Sequence, residues 1–112
     1  MTDFNSSINK IIGHRIKQYR AKNNLNQEEL ASLTGLVRAS ISNIESGRHQ
    51  IPLSTLYKVA NVLKADVRDI LPGTKEVENY IEKHSIEAQL NKYLDKHSLA
   101  SVQAIFYKNN LG

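Results

Sequence analysis

At 112 residues, with 40% hydrophobic and 23% charged side chains, the chain has room for one compact domain plus an extension, and its balance is that of a folded protein rather than a disordered one. The absence of cysteine excludes disulfides, thiol redox sensing and Cys-ligated zinc or iron–sulfur centres. A net charge of +4 hints at an anionic partner, and its distribution sharpens the hint: residues 1–72 carry ten Lys and Arg against six Asp and Glu, whereas residues 73–112 carry five of each.

The opening MTDFNSSINK has no apolar core of a signal peptide, and no apolar run approaches the ~20 residues of a membrane span. A cytoplasmic protein without membrane partners is expected. The first helix is predicted from about Ser7 to Asn23, with Ile8, Ile12, Ile16 and Tyr19 on one face and Asn23-Asn24 as a left-handed C-terminal cap. Asn26 followed by Glu29 is a capping-box pattern that starts a second helix over Gln27–Thr34. Gly35 turns the chain sharply, which a residue without Cβ does at no steric cost. A third helix is predicted from about Arg38 to Ser46, with Leu36, Ile41 and Ile44 at helical spacing and Gly47 as its stop. Ala31 stands where the second and third helices must cross closely.

After the loop Arg48–Pro52, a fourth helix runs from about Leu53 to Leu63 with Leu56, Val59, Ala60 and Leu63 inward. A short fifth helix follows Asp66 as N-cap and carries Val67, Ile70 and Leu71. Pro72-Gly73 then breaks the pattern, and the domain boundary is placed there: 1–72 and 73–112. The remainder is also helical in pattern. Val77, Tyr80, Ile81 and His84 share one face. Ile86, Leu90, Tyr93, Leu94 and His97 form a second series after Ser85, a candidate cap. Ser98 precedes Leu99, Val102, Ile105 and Phe106. Such short amphipathic segments hold no core alone and must dock on the first domain, on each other or on another chain.

Gln27, Leu30-Ala31, Gly35, Ile41, Ile44-Glu45 and Gly47, flanked by Ile12 to Arg20 and by Ile51-Pro52, Leu56, Val59-Ala60, Leu63 and Ile70-Leu71, form one ordered set. In this set, over roughly residues 8–72, the chain resembles the lambda-repressor-like, Cro/C1-type (XRE) helix-turn-helix regulators. The resemblance implies an all-α fold: a five-helix DNA-binding domain, here with a short helical extension. It further implies that Val37, Arg38, Ala39, Ser42 and Asn43 face the bases and that Asn26 and Gln27 meet phosphate. It also implies that Arg20 pairs with Glu45 to tie the recognition helix to the scaffold. The side chains suit those tasks. Arg38 can pair with guanine O6 and N7, Asn43 with adenine N6 and N7, and Val37 and Ala39 can meet a thymine methyl. Gln27 at a helix N-terminus adds a donor where amides and dipole already favour phosphate. Val37 departs from the family, where a Ser or Thr cap is usual. Lys22 and Arg48 are favoured over Lys10, Arg15, Lys17 and His49 as further phosphate contacts.

Nothing points to catalysis or to a cofactor. No serine sits in a Gly-x-Ser-x-Gly elbow, and the four histidines form neither His-x-x-x-His nor His-Glu-x-x-His, so no metal site is expected. The expected function is that of a sequence-specific regulator of double-stranded DNA, a repressor that binds a palindromic operator as a homodimer. Ile86, Leu90, Tyr93, Leu94, Val102, Ile105 and Phe106 would supply the oligomerisation surface. The alternative is an antitoxin that autoregulates its operon and seats a toxin on the same C-terminal helices; an antagonist protein is a further candidate partner there. An interaction module that has lost DNA binding is disfavoured by Gln27, Arg38, Asn43 and the basic excess.

Overall fold

The computed structural model describes residues 3–96, which form six α-helices and, among the described residues, no strand. They are α1 (Phe4–Lys22), α2 (Gln27–Thr34), α3 (Arg38–Glu45), α4 (Leu53–Val62), α5 (Val67–Ile70) and α6 (Thr74–Lys96). Local caps set most of these limits. Asp3 Oδ1 accepts from the Ser6 amide at 2.7 Å, which starts α1 at Phe4, ahead of the expected Ser7. At its other end Asn24, rather than the Asn23-Asn24 pair, takes the left-handed conformation (φ 56°). The Asn23 side chain instead donates to Tyr19 O at 2.8 Å and Leu63 O at 3.0 Å, tying the end of α1 to the end of α4.

α2 carries the full capping box. Asn26 Oδ1 accepts from Glu29 N at 2.8 Å, and Glu29 Oε1 accepts from Asn26 N at 3.0 Å. It ends at Gly35 with φ 72°. Val37 begins α3 with no side-chain cap, as its aliphatic side chain dictates. Asp66 caps α5 through the Arg68 amide at 2.8 Å.

Ile12 and Ile16 of α1 meet Leu30 and Ala31 of α2, Ile41 and Ile44 of α3, Ile51, then Leu56, Val59, Ala60 and Leu63 of α4 and Ile70 of α5 in one core. Each large side chain so buried is worth roughly 1.5–3 kcal/mol. Ala31, expected at the α2–α3 crossing, is 3% exposed within this core.

The chain divides into two compact units, Met1–Ile81 and Glu82–Gly112, so the first extends past the boundary expected at Pro72-Gly73. The reason is local. Gly73 N donates to Glu76 Oε1 at 3.1 Å, Glu76 forms an ion pair with Arg15, and Val77 is buried. Ser85, expected as a cap, lies inside α6, which runs without a break where the periodicity suggests two helices. In the second unit Ile86 and Leu94 are exposed, and Leu90 and Tyr93 are half-buried. Val102, Ile105 and Phe106 lie outside the described residues.

Candidate nucleic-acid interface

α3 has one face in the core and one in solvent. Ile41, Ile44 and Glu45 are buried; Val37, Arg38, Ala39 and Ser42 are exposed, and Asn43 is half-buried. All five expected base-facing residues therefore belong to this helix or its N-cap, on or beside its open face. Val37 is 67% exposed, an apolar side chain standing in water beside Arg38. Asn43 O accepts from Arg48 N at 3.0 Å and His49 N at 3.3 Å, so the exposed Arg48 is held by the turn that ends α3.

The end of α1 and the starts of α2 and α3 enclose a shallow hollow of about 300 Å³, lined by Arg20, Asn26, Gln27, Glu28 and Arg38. Asn26, Gln27 and Arg38, assigned to DNA by resemblance, thus share one concavity. Its chemistry suits a phosphate. The Arg38 guanidinium flanks it, that of Arg20 being committed to Glu45 and Leu25 O, and the first-turn amides of Gln27 and Glu28 have no acceptor within the helix. The Glu28 carboxylate on the rim is the one group a phosphate must avoid. Asn26 Oδ1 is committed to the capping box, which leaves its Nδ2 as the donor.

Behind the hollow, Arg20 holds Glu45 in a two-pronged grip. Arg20 Nε lies 2.6 Å from Glu45 Oε2, Nη2 lies 3.0 Å from Oε1, and Nη1 donates to Leu25 O at 2.8 Å. The side chains are 14% and 3% exposed. The hydrogen bond to Glu45, and then the charge of that carboxylate, raise the Arg20 pKa; burial opposes them in part. Gln27 Nε2 adds a third donor to Glu45 Oε1 at 3.1 Å. The sequence alone does not announce this bond. A glutamine at a helix start reads as a solvated donor, and only the tertiary structure brings α2 against the end of α3.

Lys22 stands apart from this site. It lines a separate open hollow with Arg15, Gln18, Tyr19, Arg68, Asp69 and Glu76, and its Nζ lies 5.3 Å from the Tyr19 ring centre. Among the described residues, no group of three His, Asp or Glu side chains stands close enough to hold a metal, and no helix is long and apolar enough to cross a membrane.

The helix-turn-helix family HTH_3 matches residues 16–70, the span from Ile16 in α1 to the end of α5. An uncharacterised HTH-type transcriptional regulator of Archaeoglobus fulgidus is 45% identical over 56 residues, covering 50% of this chain and 79% of the relative. The chain belongs to the Cro/C1-type helix-turn-helix family. Its members are DNA-binding transcription regulators, and this chain is accordingly a transcriptional regulator with a helix-turn-helix DNA-binding domain. Two solved structures share the fold. The restriction-modification controller protein C.AhdI from Aeromonas hydrophila is 31% identical with a TM-score of 0.53, covering 55% of this chain and 94% of that one. The N-terminal DNA binding domain of SinR from Bacillus subtilis is 33% identical with a TM-score of 0.54, covering 58% and 96%. In the family's terms, α2 and α3 are the helix-turn-helix, and α3 is the recognition helix.

Proposed function

We propose that this regulator sets the exposed face of α3 into the major groove, reads bases with Val37, Arg38, Ala39, Ser42 and Asn43, and acts as a repressor on a palindromic operator. The observation that carries the reading is the shared concavity of Arg20, Asn26, Gln27 and Arg38 beside the open face of α3. Phosphate anchors at the start of α2 fix register, and side chains one turn away reach the base edges. Asn26, Gln27 and Arg48 are the phosphate contacts. Lys22, turned toward the Tyr19 ring in a different hollow, is the weakest of the group.

One domain of this size reads only a few base pairs, so two copies on a two-fold axis would read half-sites about one helical turn, ~34 Å, apart. The stripe Ile86, Leu90, Tyr93 and Leu94 on α6 supports pairing of two chains. Ile86 is 59% and Leu94 37% exposed, apolar side chains that a second copy of the stripe would cover. The antitoxin reading shares the DNA-binding half, and no observation favours a toxin over a second copy on this stripe.

The test is selection of duplexes from a random pool, with sedimentation of the same protein. The reading predicts a two-fold symmetric site and a dimer. A dimer with equal affinity for every duplex would remove sequence-specific recognition; a monomer bound to a single half-site would remove the symmetric operator.

A further inference from the structure

We infer that Gly13 is a positioning residue for the recognition helix: by presenting no side chain it lets α1 close onto the backbone at the end of α3, and so fixes the angle at which Arg38, Ser42 and Asn43 are offered to DNA. The inference rests on the DNA-reading role of α3 and adds a residue to it.

Gly13 is a local anomaly. It lies in the middle of a 19-residue helix, where alanine is the better helix former, and it does not adopt a left-handed conformation that would call for glycine. The conflict resolves across the helix packing. A Cβ at Gly13 would stand 2.7 Å from Glu45 O and 2.9 Å from Glu45 C, and it would also crowd Ile44 O. These are backbone atoms of the last turn of α3, and no rotamer change moves them. Three residues earlier on the same face of α1, Lys10 is pressed against the turn that follows α3. A Cβ at Gly47 would lie 2.9 Å from Lys10 Cα and 3.1 Å from Lys10 N. α1 therefore meets the end of α3 backbone to backbone at two successive points.

Glu45 is then held from both sides, its backbone by Gly13 and its side chain by Arg20 and Gln27. α3 is eight residues long, about 10 Å between its end residues, with Ile41 buried near its middle. A Cβ at Gly13 must push α1 and the Ile44–Glu45 backbone apart by up to about an ångström to reach ordinary contact distance, which tilts this short rod about Ile41 and moves Arg38 by a similar amount. Hydrogen bonds to base edges are sensitive to such shifts in distance and angle. The phosphate contacts are less so: Asn26 and Gln27 sit at the start of α2, not on the tilting helix, and for Arg48 the Coulomb term varies slowly and the stem adapts. Opening the contact should therefore remove discrimination and spare non-specific binding.

The experiment compares the full chain and Gly13→Ala on two duplexes, the site the wild type recovers from a random pool and a scrambled sequence, across a salt series. Circular dichroism and a thermal melt report the fold. The expected result is a folded variant whose scrambled-duplex affinity stays within about twofold with an unchanged salt slope, while affinity for the recovered site falls about tenfold or more. Equal losses on both duplexes would assign Gly13 to stability alone and overturn the inference, as would no loss on either. A second measurement uses the wild type and does not depend on the variant folding. Bound to its site, the protein must show nuclear Overhauser contacts between the Gly13 α-protons and the Glu45–Ser46 peptide, and their absence overturns the inference. A wild type that recovers no preferred duplex removes the reading beneath the inference, and the inference with it.

Discussion

Arg20→Ala removes two hydrogen bonds to Glu45 and one to Leu25 O, and it leaves a carboxylate that is 3% exposed with Gln27 Nε2 as its remaining donor. Breaking a buried pair from one side costs about 3–5 kcal/mol, because the surviving charge stays desolvated. Arg20 lies near the surface, and its loss opens a path for water to Glu45, so the lower end applies: about 3 kcal/mol. For a domain of this size each kcal/mol lowers the melting temperature by roughly 4–8 °C, so the drop should be about 12–24 °C. Thermal and urea unfolding, followed by circular dichroism, measure it. The double variant Arg20→Ala/Glu45→Ala supplies the finer check. With both charges gone no orphan remains, and the double variant should lose less than the two singles together, by about 1.5–3 kcal/mol. Additive losses, or a single variant within about 0.5 kcal/mol of the wild type, would refute the claim that this pair braces α3.

Arg38→Ala should cost roughly 1–3 kcal/mol on the recovered site and relax preference at one base position, whereas Gln27→Ala, which removes a phosphate donor and one of the bonds that hold Glu45, should weaken every duplex and the recovered site most, without singling out one base position; competition titrations over single-base variants separate the two. Ile86→Glu with Leu90→Glu in the full chain should sediment as a monomer and bind a palindrome far more weakly, and a dimer with native affinity would place the pairing surface elsewhere. A chain ending at Pro72 should melt several degrees below one ending at Ile81, since it loses Val77, a burial worth about 1.5 kcal/mol or more. Glu76 should titrate below the ordinary glutamate value of 4.5, held down first by the Gly73 amide and then by Arg15. A depressed carboxylate pKa stabilises the fold fully above the unfolded value and loses that contribution as pH falls through the folded one, so anchoring of the start of α6 should weaken only in acid. Carboxyl chemical shifts measure this, and in Arg15→Ala the Glu76 value should move back up.

What the sequence discloses and what it hides divide along the range of the interactions. α2 was legible to the residue, because Asn26, Glu29 and Gly35 set its ends through bonds within a few positions. α1 begins earlier than the hydrophobic period suggests because Asp3, outside that period, caps it. α6 reads as two helices because its apolar stripe changes sides. At 3.6 residues per turn, Ile86 falls opposite Val77, so a continuous helix looks like two amphipathic ones. At the site, the Arg20–Glu45 pair followed from the family pattern, as did the position of Val37, Arg38, Ala39, Ser42 and Asn43 on or beside the open face of α3. The Gln27–Glu45 bond and the close approach at Gly13 did not, because both depend on which backbones meet in space. No residue type announces that.

The central claim is that α3 reads base sequence from a platform anchored on phosphate. Titrating the full chain with its recovered duplex and with a scrambled duplex, at several salt concentrations, tests it most directly. Both affinities should fall steeply as salt rises, with log-log slopes set by the Lys and Arg side chains brought to phosphate, and the recovered duplex should bind tighter by about 10³-fold or more at physiological salt. Parallel, superimposed lines for the two duplexes would contradict it.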